Sequence, residues 1–453
     1  MLNETNVRLE PPGPATRSLF GSLNAFRRNP YALMTDAWNE YGDLVRFRFG
    51  NVYSYLPVHP EYLKHILQDN HQNYTRGRLY KTFERFFGKG LLTNDGDTWL
   101  KNRRLLQPAF RPQSIDSYTQ TITESTEIML QQWDSIAEQQ QVVDGHVEMV
   151  QLVLRQLGCM VFNHDLSIYS KDIVPAIQSG VASLIQDIGS LNELVPKWVP
   201  TPYHRKTRKV KRHLVTIVQR VIDEHKSGKI EGNDVVAMLL KEQAENRLND
   251  QEVFDEVTTI FLAGHDTTAA VFTWILYALS AHPDVRRQLE EEVDLVLGDR
   301  VPVMEDVSKL PYTRMAIMEA LRLYPPVWGF PRDAIEEDEL GQYHIPGGSS
   351  MIVSPYMMHR HPEFWDNPEG FNPERFSSGW EKRQHKFAYM PFGHGPRQCV
   401  GMNVAMHQLM LSIPMIVRRY QVDLAPNSFV APANTAILHP HHGLKIRIKR
   451  RKP

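Results

Sequence analysis

Cysteine is nearly absent: the 453-residue chain holds two, Cys159 and Cys399. Two thiols exclude a disulfide framework and any site built from several cysteines, so each works alone. Long apolar runs are missing as well. No window approaches the about 18 uninterrupted apolar residues that a membrane-crossing helix needs, and the N-terminal end, with Pro11, Pro12 and Pro14, has no secretory core. The expectation is no membrane anchor and a reduced, cytoplasmic setting. Charge of either sign is not in excess, since 51 Lys and Arg stand against 52 Asp and Glu for a net charge of −1. Nucleic-acid binding needs a net basic footprint, so no nucleic-acid partner is expected. Two local basic runs, Arg205–Arg212 and Lys445–Lys452, read as a solvated helix face and a frayed tail.

What is present is an ordinary globular supply of apolar side chains, 42% hydrophobic against 23% charged. Runs at 44–49 and 52–58 meet at Gly50-Asn51 and predict a hairpin, in a β-rich part of about 35–60. From about 97 to 323, a helical core, apolar residues recur at helical spacing in segments 114–138, 145–163, 208–226, 250–281, 283–297 and 311–323. Between about 329 and 398 the texture turns to short strands and loops rich in proline and glycine, and irregular stretches of such length are usually functional. A last helix is expected from Cys399 to about Tyr420. With no repeat and no linker, residues 1–453 are expected to form one mainly α domain with a small β part.

The two thiols differ in setting. Cys159 lies among Leu152, Val153, Leu154, Leu157, Met160 and Val161 and reads as a small core residue. Cys399 lies in Phe392-Gly-His-Gly-Pro-Arg-Gln-Cys-Val-Gly401, where a glycine-rich loop meets a helix. The helix dipole and Arg397 favour its thiolate. Gly393, Gly395 and Gly401 remove side chains where the backbone must pass something flat and large. Thiolate, small residues and an arginine suit a metalloporphyrin bound through sulfur. His394 is the alternative ligand by chemistry, and a Cys399–His394 hydrolase leaves the arginine unexplained.

With Phe392, Gly395, Arg397, Cys399 and Gly401 in place, the segment resembles the haem-binding signature of the cytochrome P-450 superfamily. The likeness is to bacterial, soluble members akin to the fatty-acid hydroxylases. It implies the P-450 fold, with haem b (iron protoporphyrin IX) between a long distal helix at about 250–281 and a proximal helix starting at Cys399. It implies Cys399 as the metal ligand, Phe392 and Gly401 beside it, and Trp99, Arg103, Arg332 and Arg397 as donors to the haem propionates. Glu319 and Arg322, three apart on one helix, resemble the family's helix motif, and with Arg375 of Phe371-Asn-Pro-Glu-Arg-Phe376 they would form a buried structural network. In Ala263-Gly-His-Asp-Thr-Thr268, Gly264 and the polar residues break the rules of a helix interior, as functional sites do. By resemblance this is the distal groove, with Thr267 bonding dioxygen, Asp266 relaying protons and His265 a bystander.

The same resemblance lines an apolar pocket with Phe83, Phe87, Leu92, Phe261, Ala263, Val327, Gly329 and Ile437, and offers 194–203 as a lid. The function implied is a haem-thiolate monooxygenase. It would activate O2 with electrons from a ferredoxin or flavodoxin and its NAD(P)H-dependent reductase. It would act as a monomer on a hydrophobic small molecule, first a fatty acid, alternatively a terpenoid, steroid or polyketide. A non-catalytic haem sensor is the reading of another class, and a carrier has no use for the Asp266–Thr267 pair.

Overall fold

The computed structural model describes residues 8–15, 18–171, 199 and 201–451; most of the candidate lid at 194–203 lies outside them. Its longer helices are α1 (Pro30–Tyr41), α2 (Arg78–Phe87), α3 (Gly96–Leu106), α4 (Thr119–Glu138), α5 (Gly145–Val161), α6 (Pro202–Lys226), α7 (Val235–Ala244), α8 (Asp250–Ala281), α9 (Pro283–Leu297), α10 (Pro311–Leu323) and α11 (Met402–Arg419). The strands are β1 (Leu44–Phe49), β2 (Val52–Pro57), β3 (Tyr74–Thr75), β4 (Val142–Asp144), β5 (Phe330–Ala334), β6 (Asp338–Leu340), β7 (Tyr343–Ile345), β8 (Ser350–Val353), β9 (Tyr420–Leu424) and β10 (Lys445–Arg450). Among the described residues no helix is long and apolar enough to cross a membrane.

Local chemistry sets the boundaries. The Asn249 side chain and Glu252 cap each other at the start of α8, and Pro283 opens α9 where α8 stops. The segments read at 250–281, 283–297 and 311–323 are the helices found. The last helix departs from its reading: α11 starts at Met402 with Gly401 as its cap residue, so Cys399 sits in the turn before it. β1 and β2 pair antiparallel through Gly50, whose φ of +64° lies in the left-handed region that glycine adopts most readily. They extend into a sheet of order β1-β2-β8-β5-β3, while β4, β10 and β9 form a second sheet.

The C-terminal basic run is not a frayed tail. Along β10, Ile446 and Ile448 are buried and the cations between them point outward. Lys445 pairs with Asp144 at 3.1 Å, Lys449 with Asp423 at 3.0 Å, and Arg451 with Asp294 at 2.6 Å.

α8 runs through the core against α5. A Cβ on Gly264 would meet Leu157 side-chain carbons at 2.9 and 3.0 Å, so close helix packing accounts for this glycine, which the sequence had pointed to the groove. Trp274 of α8 stacks on Tyr324 at 4.2 Å and donates from Nε1 to Leu438 O at 2.8 Å, tying the helix to the C-terminal segment.

The irregular region after β8 is anchored on α10. Glu319 and Arg322 are both fully buried and joined by two bonds, 2.7 and 2.8 Å. Arg322 also donates to His359 O at 2.8 Å, Pro368 O at 2.7 Å and Gly370 O at 2.9 Å. Glu319 accepts from Asn372 N at 2.8 Å and Arg375 Nε at 3.2 Å. The network expected from sequence is present, and His359 extends it. Its Nδ1 donates to Arg322 O at 3.0 Å and its Nε2 accepts from Met390 N at 2.8 Å; burial holds this imidazole neutral, down to about 3. Glu319→Gln leaves the buried Arg322 charge without its counterion and is expected to cost about 3–5 kcal/mol in denaturant unfolding. A loss under about 1 kcal/mol, the range of exposed pairs, would mean that the network is not a lock.

Candidate active site

The turn holding Cys399 is built from its own backbone. Cys399 N donates to Phe392 O at 2.9 Å and Gln398 N to Gly395 O at 3.0 Å. Gly395, at φ +73°, lies against Leu67, where any Cβ would sit 1.9 Å from the carbonyl oxygen. His394 is engaged inside the loop, its Nε2 3.0 Å from Lys386 O and 3.1 Å from Tyr389 O, which accounts for it without metal ligation. Desolvation pushes the Cys399 thiol up, against the pull of the Gly401 amide, the Arg103 guanidinium and the Met402 amide. The expected pull of the helix N-terminus is present in the Gly401 and Met402 amides, but the charge that acts is Arg103 and not Arg397, and desolvation outweighs them all. A thiol raised in this way is a poor free nucleophile, while a metal ion displaces its proton. Cys159, half-buried, is likewise pushed up by burial.

Arginines gather beside this turn. Arg103 donates to Gln398 O at 2.8 Å. Arg397 donates to Asn94 O at 2.8 Å, pairs with Asp95 and stacks 4.2 Å over the Trp99 ring. Arg332 is buried on β5 and donates to Pro331 O at 2.8 Å. Sequence reading missed a fourth, Arg76, which is buried after β3 with an unpartnered Nε and its charge coupled to the other three. No motif surrounds it, so only the folded chain reveals it. Burial and then Arg76 hold Arg332 down to about 10 and Arg397 down to about 9. A cluster of four cations, Arg76 and Arg332 buried and Arg103 and Arg397 half-buried, with Asp95 paired to it, is a receptor for a compact dianion. The two propionates of a haem fit that demand, and the thiol of Cys399 fits its iron.

The distal side is α8. Ala263 is exposed, and Thr267, one turn on, donates to Ala263 O at 2.7 Å, which leaves its oxygen lone pairs on that face. Asp266 is half-buried, and its Oδ1 is buried without a hydrogen-bond partner. His265 points away, its Nδ1 2.9 Å from Phe261 O. Phe261 does not join the pocket: it is 2% exposed and stacks on His265, 5.2 Å between rings. It is five residues short of Asp266 and six short of Thr267, so it falls on another side of the helix. Phe87 is also buried, stacked on half-buried Phe83 at 5.8 Å. Leu92, Val327, Gly329 and Ile437 are part-exposed.

Carboxylates of α8 position the loop that carries Leu92. Asp255 accepts from Lys89 N at 2.7 Å, and Glu256 from Leu91 N at 3.0 Å and from the Asn102 amide. Sequence spacing held no signal for this clasp, because its partners are main-chain amides.

A family model for Cytochrome P-450 matches residues 11–447. The chain belongs to the cytochrome P-450 family. It is accordingly a monooxygenase of the oxidoreductase class, and haem b is its cofactor. Among similar proteins, cyclooctatin synthase of Streptomyces melanosporofaciens is 32% identical over 86% of this chain and 85% of its own length. Pentalenene oxygenase of Streptomyces avermitilis is 28% identical over 97% of both chains. The chloroplastic protein LUTEIN DEFICIENT 5 of Arabidopsis thaliana is 30% identical over 96% of this P-450 and 76% of its own length.

Two outcomes test the site. Arg76→Ala relieves repulsion among the arginines and, if Arg76 holds a propionate, removes that donor. The variant is expected to release haem to apomyoglobin about 10–100 times faster, the worth of one charged hydrogen bond, while its haem-free form is no less stable. An unchanged release rate would remove Arg76 from the haem site. Burial raises Glu256 from 4.5 to about 7. Its protonated form is favoured in the folded state, so stability is highest below the unfolded value and falls as pH rises through the folded one, by about 3 kcal/mol in all. Glu256→Gln, with Asn102 Oδ1 buried and unpartnered to receive its amide, should flatten the pH 4.5–7 slope of melting temperature relative to the native chain.

Proposed function

We propose that this cytochrome P-450 is a haem-thiolate monooxygenase that hydroxylates an apolar small molecule of terpenoid type, with Cys399 as the iron ligand. The observation that carries the reading is the pairing of the exposed Cys399 thiol with four arginines grouped beside its turn on one side and the Asp266–Thr267 pair of α8 on the other. Haem, when bound, supplies reductive activation of dioxygen at an iron with a thiolate donor. Arg76, Arg103, Arg332 and Arg397, with Trp99, hold and orient its carboxylates. Thr267, whose own hydrogen is given to Ala263 O, presents acceptor lone pairs to the groove. Asp266, with Oδ1 buried and unpartnered, is the group in reach that takes up and delivers protons. Phe83, Leu92, Val327 and Ile437 offer an apolar wall that excludes water and selects apolar substrates.

The substrate class follows the names of two relatives, pentalenene oxygenase and cyclooctatin synthase, matched over 97% and 85% of their lengths. The fatty acid expected from sequence shares the apolar wall. Electrons come from separate proteins, a ferredoxin or flavodoxin with its reductase, and the enzyme works as a monomer in a bacterial cytoplasm.

The carbon monoxide difference spectrum of the reduced protein tests the ligand. A strongly red-shifted Soret band is expected for the native chain and is lost in Cys399→Ala; a band that survives the substitution would overturn the assignment. Thr267→Ala should keep that band and divert reducing equivalents to hydrogen peroxide, while Asp266→Asn should keep it and slow oxygen consumption. Substrate difference spectra against terpenes, fatty acids and steroids should give the strongest response with terpenes, and a response confined to fatty acids would return the reading to that class.

A further inference from the structure

Behind the groove α8 carries a second polar face. Asp266 and Thr273 are seven residues apart, two turns, and share one side of the helix with only Ala269 and Ala270 between them. Against that side stands His146, at the start of α5 and 7% exposed, its Nδ1 3.1 Å from Thr273 Oγ1. The ring of His439 lies 5.2 Å from the His146 ring. His439, Asp266, Asp144 and His265 are the titratable groups whose charges reach His146. Asp266 Oδ1 and His439 Nδ1 are buried without hydrogen-bond partners, and unsatisfied polar atoms in a packed interior mark places that water bridges.

The hydrogen bonds also set the tautomer. Thr273 gives its hydroxyl hydrogen to Ala269 O at 2.7 Å, so towards His146 its oxygen can only accept. His146 Nδ1 therefore carries the hydrogen and Nε2 the lone pair. Burial and neighbouring His439 hold the imidazole down to about 4, neutral near pH 7. Nothing in the haem site uses this ring.

We propose that His146 and His439 are the inner leg of a proton path that reloads Asp266 from solvent, entering past His441 and His442, both exposed. The inference rests on Asp266 being the proton-delivering group. His146 keeps its Nδ1 hydrogen on Thr273, takes a proton at Nε2 and gives it up from the same nitrogen, so it ends neutral in its starting tautomer. The proton reaches the Asp266 carboxylate through bridging water, and no electron moves. Thr273 is a positioning residue that fixes the ring.

The test uses holoenzyme with a surrogate ferredoxin and its reductase, following NADPH-driven oxygen consumption and its solvent deuterium isotope effect. His146→Gln keeps a donor for Thr273 but cannot relay. It is expected to slow oxygen consumption about tenfold or more, within the range of general acid–base effects, and to enlarge the isotope effect. His439→Gln, at a part-exposed position, should do the same if His146→Gln fails to fold. The carbon monoxide spectrum reports an intact haem site in each variant. Independently of turnover, nitrogen NMR of histidine-labelled holoenzyme should find His146 in its Nδ1–H form, with resonances that move in Asp266→Asn. If Asp266→Asn slows oxygen consumption and both histidine variants do not, the path is overturned and the role of Asp266 stands. If Asp266→Asn is itself without effect, the underlying reading fails and the path with it.

Discussion

A carboxylate and a guanidinium with no contact with water are costly unless every lone pair and N–H finds a partner, and in this protein the partners come from a distant segment. Arg322 satisfies its remaining donors on the carbonyls of His359, Pro368 and Gly370, and Glu319 accepts from Asn372 and Arg375. The residues between β8 and α11 are largely irregular and cannot satisfy their own backbone groups as a helix or sheet would. The pair on α10 does it for them. His359 then passes the constraint to Met390, two residues before the turn that ends at Cys399. The position of the thiol is thus set by an ion pair more than seventy residues earlier.

Where that network is complete, the surface it supports is deliberately not. Arg76 depresses the basicity of Arg332, and Arg76 and Arg332 that of Arg397, a disposition that folding alone would select against. Asp266 keeps a buried oxygen unpartnered in the middle of a long helix. An excess of buried positive charge on one side and an unsatisfied acid on the other are both resolved by a bound cofactor and its reaction. They mark the plane between the Cys399 turn and α8 as the site. The clasp of Asp255 and Glu256 on the amides of Lys89 and Leu91 joins the pocket loop to the same helix. One helix therefore organises the pocket loop, the groove and the face that meets His146.

Much of this was legible in the residues. The 3.6-residue spacing places α8 within its observed bounds, because a long run of helical periodicity has few alternatives. Cys399, Glu319 and Arg322 stand out because their chemistry requires fixed local spacing. Gly264 was misread: its missing Cβ makes room for Leu157, and close approach of two helices is invisible along one chain. Phe261 was assigned to the pocket by position, yet a rotation of the helix by a fraction of a turn places it in the core. The basic run shows its alternation in the sequence, but the acids that neutralise it, Asp144, Asp423, Asp294 and Asp134, lie in β4, β9, α9 and α4.

The sequence by itself determined the kind of chemistry: one thiol in a glycine-rich turn, an acid–alcohol pair in a helix, and the spacing of the Glu319–Arg322 pair are local patterns that survive without coordinates. Tertiary structure alone decided which charges meet. Arg76 joins arginines from three other segments, Arg103 rather than Arg397 acts on the sulfur, and His146 reaches Thr273 across two helices. Electrostatic coupling depends on distance and burial, and neither is a property of neighbours along the chain.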